Sequence, residues 1–148
     1  MVVGKPRTPG LAKAIEDFER RAARYWPLEI REVREVPGRS RPPDQVRAEE
    51  WKRLADAAAG CLVVLCDRSG EPMTSEQFSA WLDARRGDGA GIAFVIGGAL
   101  GLPPEAASAA NRVLSLGGWT LPHELARLVL VEQLYRAGTI LRGEPYHK

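Results

Sequence analysis

The sequence lacks the long apolar segments that membrane and secreted proteins carry. No uninterrupted hydrophobic run in its 148 residues approaches the roughly 20 residues that a membrane-spanning helix needs. The first ten residues contain no apolar region of the length that a signal peptide requires. Hydrophobic residues make up 45% of the chain and charged residues 27%, which is ordinary globular composition. We therefore expect one cytoplasmic domain over residues 1–148, with no membrane contact.

Cysteine and histidine are also scarce, with two of each. Cys61 and Cys66 are five positions apart, which places them on opposite faces of an extended strand, so we expect two free thiols rather than a disulfide. His123 and His147 are far apart in sequence, and no spacing typical of zinc ligands exists. We expect no metal site.

Charge of one sign is not in large excess, since the net charge is only +2. Residues 1–53 carry 13 Lys/Arg against 9 Asp/Glu, whereas residues 54–110 carry 3 against 7. Arginine, which suits phosphate recognition, accounts for 17 of the 21 basic residues. This distribution fits a nucleic-acid partner, but it also fits an ordinary solvated surface, and it does not decide between them.

What the sequence does contain is an alternation of strand-like and helix-like segments. Apolar alternation and short apolar runs predict strands, and apolar spacing of three or four predicts helices. Strands that alternate with helices favour an α/β fold with a parallel sheet covered on both faces. Ligands of such sheets bind at the carboxyl ends of the strands. The predicted strands are 2–3, 28–33, 61–65, 91–96 and 114–116. The first two predicted helices are 9–25 and 44–59. A third helix begins at a Thr74–Gln77 capping box, a fourth begins after residue 103, and a fifth covers about 122–140.

Two glycine-rich loops follow consecutive predicted strands. The first is IGGALGL (96–102) and the second is SLGGWT (115–120). Glycines allow a backbone to approach a ligand closely and expose its N–H groups. Neither loop is a GxGxxG or GK[ST] nucleotide motif. A cofactor held by backbone groups and a pair of plain turns both remain open, and the pairing of the loops favours the cofactor.

The last helix and the tail carry a second set of candidate residues. Residues 128–131 are apolar all round, so we expect a second copy of the chain to cover them in a homodimer; a buried strand is the alternative. Glu132 and Arg136 have the spacing of an ordinary helix ion pair, or of a pair that orients a substrate group. The tail, 145–148, combines an aromatic ring, an imidazole and a cation, and is either frayed or functional.

Four blocks of the sequence, in this order, resemble one known family: IGGALGL (96–102), SLGGWTLPH (115–123), EQLYRA (132–137) and PYHK (145–148). The chain resembles the SPOUT-class 23S ribosomal RNA (pseudouridine-N3)-methyltransferases, the large-subunit methyltransferase H family. The blocks lie in the C-terminal part, and the rest of the chain matches more loosely. The resemblance implies an α/β fold with a C-terminal trefoil knot, a homodimer, and S-adenosylmethionine as methyl donor.

The resemblance also implies a substrate and site residues. The substrate would be a pseudouridine in the helix 69 loop of 23S rRNA within the assembled ribosome. N3 of that base must lose its proton, so a base is expected nearby. His147 and Glu132 are the candidate bases, Arg136 would stabilise the oxygen that gains charge, and Tyr146 would stack on the base. His123, expected to shape the cofactor loop, and Lys148 are placed on the substrate side. The expected cofactor contacts are Cys66, Gly98, Gly117, Gly118, Trp119, Thr120, Leu121 and Pro122.

One departure from the family pattern supports an alternative function. The pair Gly117–Gly118 stands where related sequences carry a serine, so a hydroxyl contact to the cofactor is lost. A ribosome-binding protein without turnover would fit that loss, and failure to bind S-adenosylhomocysteine would distinguish it. A small-molecule methyltransferase is a third interpretation, distinguished by a closed pocket without a basic rim. The basic N-terminal third and the loop 39–41 argue against it.

Overall fold

Strands and helices alternate along the whole chain, as the hydrophobic pattern predicts. The computed structural model describes residues 1–38 and 40–147, and Arg39 of the basic loop therefore lies outside the described residues. The elements are β1 (Val2–Val3), α1 (Pro9–Ala22), β2 (Glu32–Val33), α2 (Pro43–Ala57), β3 (Leu62–Pro72), α3 (Ser75–Asp83), β4 (Ile92–Val95), α4 (Pro104–Ala109), β5 (Arg112–Ser115), α5 (His123–Leu141) and a 3₁₀ turn (Pro145–His147).

All strand pairings between these elements are parallel. β3 lies between β4 and β5, with Val64 opposite both Phe94 and Arg112. β1 pairs with β2, and a parallel bridge between Val2 and Ile96 joins this pair to the edge of β4. The resulting order is β2-β1-β4-β3-β5. The predicted α/β fold with a parallel sheet is confirmed, whereas the trefoil knot stays a prediction. Because the strands are parallel, the carboxyl ends of β3, β4 and β5 lie at one edge of the sheet.

Helices cover both faces of the sheet, so the continuous apolar runs predicted as buried strands have a physical reason. On one face α1, α3 and α5 pack against the sheet through a cluster that includes Val64, Phe78 and Leu134. On the other face α2 and α4 bury Leu54 and Ala106 against it. None of the helices in the described ranges is long and apolar enough to cross a membrane.

Two strands differ from their predicted bounds by four or more residues at one end. β3 continues to Pro72 instead of ending at Leu65, because Leu114 of β5 pairs first with Cys66 and, after a register shift, with Glu71. The intervening residues are polar and give no strand signal in the sequence. Over residues 28–33 the observed strand is shorter than predicted, because only the two residues of β2 pair with β1.

The first helix begins where it was predicted but is not capped as expected. Thr8 stands at the N-cap position of α1, yet its side chain makes no capping hydrogen bond. The carboxylate of Glu124, on α5, instead accepts the backbone N–H groups of Arg7 (2.8 Å) and Thr8 (3.3 Å). A carboxylate at a helix N-terminus is favourable, and here it also joins α1 to α5. The helix ends at Ala22 rather than at Tyr25.

A buried ion-pair group fixes α5 in place. Arg127 is 7% exposed and donates to Glu19 of α1 (2.8 Å) and to Glu32 of β2 (2.7 Å). Removing one partner of such a group leaves a buried charge unpaired, which is strongly destabilising. Residues 128–131 lie within α5, so the helical prediction is correct and the strand alternative is wrong. Leu130 and Val131 are buried, whereas residues 128 and 129 remain partly exposed.

We predict that Gly138→Ala destabilises the packing of α5 on α1. A Cβ atom at Gly138 would meet the ring of Tyr25, so the two helices must separate or the ring must move. Overpacking of this kind costs about 1–3 kcal/mol in the free energy of unfolding. Denaturant unfolding measures the effect. Gly10→Ala is the matched control, because Gly10 is also helical and has no atom within 4 Å of the added Cβ; an equal effect of both substitutions would contradict the packing argument.

Candidate functional site

A cavity of about 890 Å³ lies at the carboxyl edge of the sheet. Its wall is formed by residues 66–69 at the register shift of β3, by the segments that follow β4 and β5 and by the start of α5, with one side chain from α2. This is the location where parallel α/β folds bind ligands. The lining residues are Arg47, Cys66–Ser69, Ile96–Leu102, Leu116, Gly117, Trp119–His123 and Ala126.

The loop after β4 is narrow enough to require glycine. A Cβ atom at Gly97 would lie 2.7 Å from Cγ of Leu102, and one at Gly98 would lie 2.5 Å from Oε2 of Glu50. The carbonyl of Gly98 accepts the N–H of Gly101 at 3.0 Å, and Gly101 has φ +78°, a conformation that favours glycine. At Gly97 and Gly98 the loop therefore presents backbone rather than side chains to the cavity.

The loop after β5 is open by comparison. Ser115 fixes the start of this loop. Its hydroxyl donates to the carbonyl of Gly117 (2.9 Å) and accepts the N–H of Gly117 (3.3 Å). No atom lies within 4 Å of a Cβ built on Gly117 or Gly118. The side chain of Trp119, which follows them, is 84% exposed. The glycine pair is therefore not required by packing within the chain.

The third wall of the cavity consists of Cys66 and the three residues after it, at the register shift of β3. Desolvation raises the pKa of the Cys66 thiol to about 12, so the group is protonated and is not a nucleophile at neutral pH. Both cysteines are free. Asp67 accepts the N–H (2.9 Å) and the hydroxyl (2.6 Å) of Ser69, and these hydrogen bonds lower its pKa. Asp67 thus stays a carboxylate, and its hydrogen bonds to Ser69 hold residues 67–69 in a turn.

A buried carboxylate behind the first glycine loop was not predicted from the sequence. Glu50 is 4% exposed, and its Oε1 accepts the N–H of Val36 at 3.0 Å. Its Oε2 lies against Gly98 and has no hydrogen-bond partner in the described part of the chain. Burial raises the pKa of Glu50. A signal existed, since Glu50 interrupts the apolar stripe of α2 between Val46 and Leu54, four residues away on each side.

Most of the residues predicted to contact a cofactor line the cavity. Seven of the eight do so, namely Cys66, Gly98, Gly117, Trp119, Thr120, Leu121 and Pro122, together with the predicted substrate-side residue His123. Gly118 is on the same loop but does not contribute to the wall. Arg47 and Arg68 also line the cavity, and the sequence analysis did not single them out. Lys148 and the side chain of His147 lie outside the described residues.

Three of the four predicted catalytic residues, Glu132, Arg136 and Tyr146, form a separate cluster. Oε1 of Glu132 accepts hydrogen bonds from Nε of Arg136 (3.0 Å) and from the hydroxyl of Tyr146 (3.1 Å), and it forms an ion pair with Nη2 of Arg136 (2.8 Å). Its Oε2 accepts Nε2 of Gln133 at 2.7 Å. The ring of Tyr146 lies under the guanidinium of Arg136 and against the ring of Tyr135. Desolvation and the neighbouring Glu132 raise the pKa of Tyr146, which therefore stays a hydrogen-bond donor.

This cluster does not reach the cavity of its own chain. Ala126 is the last residue of α5 that lines the cavity, whereas Glu132 and Arg136 lie six and ten residues further along the helix. A rise of about 1.5 Å per residue separates them from Ala126 by about 9 Å and about 15 Å. The structure thus brings the catalytic candidates together with one another, and the cofactor candidates together elsewhere.

Comparison with known proteins gives the family. A family model described as "Predicted SPOUT methyltransferase" matches residues 1–147. The chain belongs to the SPOUT methyltransferase family. The resemblance found in the four sequence blocks is confirmed at this level. Membership makes the protein a methyltransferase, and it implies a methyl donor.

Three curated relatives carry the name Ribosomal RNA large subunit methyltransferase H. The protein of Gemmatimonas aurantiaca is 57% identical over 149 residues, which cover 100% of this chain and 97% of the relative. The protein of Solidesulfovibrio magneticus is 44% identical, with 99% and 96% covered. The protein of Anaeromyxobacter dehalogenans is 40% identical, with 100% and 97% covered.

We predict that Gly98→Ala weakens binding of S-adenosylhomocysteine. The added Cβ would approach Glu50 within 2.5 Å and Val3 within 3.2 Å, so the loop after β4 must shift into the cavity. Isothermal titration would show a loss of at least about tenfold in affinity, as expected for a misplaced backbone contact. Gly87→Ala is the control, because Gly87 has no atom within 4 Å of its Cβ position. Unchanged affinity in Gly98→Ala would show that the loop does not hold the ligand.

Proposed function

We propose that this protein methylates N3 of a pseudouridine in the helix 69 loop of 23S rRNA, in assembled ribosomes of the cytoplasm, with S-adenosylmethionine as methyl donor. The observation that carries the proposal is the cavity between the two glycine-rich loops in a chain 57% identical to a protein named as a large-subunit rRNA methyltransferase. The identity supports the rRNA class of substrate. The nucleotide, N3 specificity and the late stage of action rest on the family resemblance.

The cavity fits the proposed methyl donor. Small-molecule sites typically enclose about 300–1,000 Å³, and this one measures about 890 Å³. Its walls expose backbone groups at Gly98 and Gly117, and a neutral thiol at Cys66. Gly118, Thr120, Leu121 and Pro122, with the backbone of Trp119, complete the proposed set of contacts. Bound S-adenosylmethionine would supply the methyl group as an electrophilic carbon, so the protein must orient the accepting nitrogen and manage its proton.

We assign the proton transfer to the α5 cluster and the tail. His147 or Glu132 would remove the N3 proton. Glu132 receives three hydrogen bonds, from Gln133, Arg136 and Tyr146, and these fix the orientation of its carboxylate. Arg136 would stabilise the oxygen that gains negative charge, and Tyr146 would stack on the splayed base. His123 and Lys148 would complete the substrate side, with His123 also shaping the cofactor loop.

We infer that these roles are shared between two copies of the chain. Within one chain about 9 Å of helix separates Ala126, the last residue of α5 that lines the cavity, from Glu132. A homodimer in which the cluster and tail of one protomer reach the cavity of the other would bring the proton acceptor and methyl donor together. The partly exposed apolar residues 128 and 129 support an interface on the same helix.

Methyl transfer tests the proposal directly. We expect radiolabel from S-adenosylmethionine to enter a helix 69 pseudouridine in ribosomes from a strain that lacks this gene, but not free 23S rRNA. His147→Ala or Glu132→Gln should lower the single-turnover rate about 10²–10⁴-fold, the usual contribution of general acid–base catalysis, while S-adenosylhomocysteine affinity stays unchanged. Full turnover by both variants would remove them as candidate bases. Absence of label in wild-type ribosome reactions would contradict the proposed activity.

A mixing experiment tests the shared site. Gly98→Ala damages the cavity, whereas His147→Ala damages the tail, and each variant alone should be nearly inactive. After subunit exchange we expect roughly a quarter of wild-type activity, because half of the dimers are mixed and each mixed dimer holds one intact site. Mass spectrometry verifies the subunit exchange. If the exchanged mixture stays as inactive as the separate variants, each site is formed by the cavity and the tail of the same chain.

A further inference from the structure

The cavity carries an unusual amount of exposed apolar surface. Within residues 1–38 and 40–146, three large hydrophobic side chains are classed as exposed: Ile30 (38%), Leu100 (42%) and Trp119 (84%). Two of these, Leu100 and Trp119, line the same cavity from its two glycine-rich loops. Single exposed apolar side chains are common on proteins, but two that face one cavity indicate a binding surface.

Trp119 differs from the other tryptophans of the chain. Trp26 donates its indole N–H to the carbonyl of Leu134 at 2.7 Å, Trp81 stacks on Phe78, and Trp51 packs against an apolar cluster. The described residues give Trp119 no ring partner and no hydrogen bond. The two preceding glycines also have open space at their Cβ positions. The indole therefore stands free at the cavity and can accept a planar group on its face.

Cations accompany the apolar surface. Arg47 and Arg68 line the cavity as well. Nε of Arg47 is shielded from solvent and has no hydrogen-bond partner in the part of the chain that the structure describes. Arg68 is exposed. An indole and two guanidinium groups at one cavity match a ligand that joins planar bases through phosphates, which is how single-stranded nucleic acid is bound.

We propose that the indole of Trp119 stacks on a base of the RNA substrate beside the nucleotide that is methylated, while Arg47 and Arg68 contact the flanking phosphates. This inference rests on the proposed function, because it takes the RNA to be the substrate that enters this cavity. The position of the ring argues for RNA rather than for the methyl donor alone, since a ring 84% in water lies on the solvent side of the wall. The two arginines that line the same cavity argue for a phosphate-bearing partner rather than for a second copy of the chain.

The test compares Trp119→Leu, Trp119→Phe and Ile30→Ala. Trp119→Leu keeps an apolar side chain without a planar face, Trp119→Phe keeps a ring, and Ile30→Ala removes another exposed apolar side chain away from this cavity. The loss of one base stack lowers affinity about fivefold to 150-fold. We expect Trp119→Leu to raise both KM and the co-sedimentation Kd for unmodified 70S ribosomes by that factor, with kcat unchanged. Trp119→Phe should retain most of the affinity and Ile30→Ala all of it.

Two further measurements separate the other possible partners of the ring. An equal loss of S-adenosylhomocysteine affinity in Trp119→Leu would show that the ring holds the methyl donor, and a monomeric sedimentation coefficient would show that it holds a second copy. Either result, or unchanged ribosome affinity, overturns the proposal. Co-sedimentation needs no turnover, so it tests RNA binding separately from methylation. Wild-type protein that binds ribosomes without methylating them would refute the proposed function alone. Absence of ribosome binding would refute both the proposed function and the role of Trp119.

Discussion

The parallel pairing of β3 with both β4 and β5 is the constraint on which the site depends. It places the register shift of β3 beside the ends of β4 and β5, so these three segments lie together at one edge of the sheet. Two of these segments are rich in glycine and leave backbone groups exposed. The cavity is therefore a consequence of strand order and loop composition, and it needs few special side chains.

α5 connects this cavity to the rest of the proposed chemistry. Its first residue lines the cavity, its second turn is held by the buried Arg127 ion pairs, and its later turns carry Glu132 and Arg136. A helix held in this way cannot bring its first turn and these later turns to one point. The distance along it is the physical reason for proposing that two protomers share each site.

Sequence reasoning predicted the parts of this arrangement that depend on local pattern. The glycine loops, the parallel sheet and the helix over 128–131 follow from spacing and composition. The extension of β3 to Pro72 depends on pairing with Leu114 across a register shift, and no periodicity marks it. Capping by Glu124 comes from a residue 116 positions away from Thr8. Glu50 was overlooked although its place in an apolar stripe was visible, and Arg47 carries no sequence signal that separates it from a surface arginine.

A structure of the protein with S-adenosylhomocysteine tests the central claim, that the two glycine-rich loops hold the methyl donor, most directly. The account predicts the ligand between residues 96–102 and 116–122, in contact with the backbone at Gly98 and Gly117, and with the cluster of a second protomer facing it. Ligand density outside these loops would contradict the account. So would a ligand between the loops that faces only solvent, and no second protomer, in a confirmed dimer.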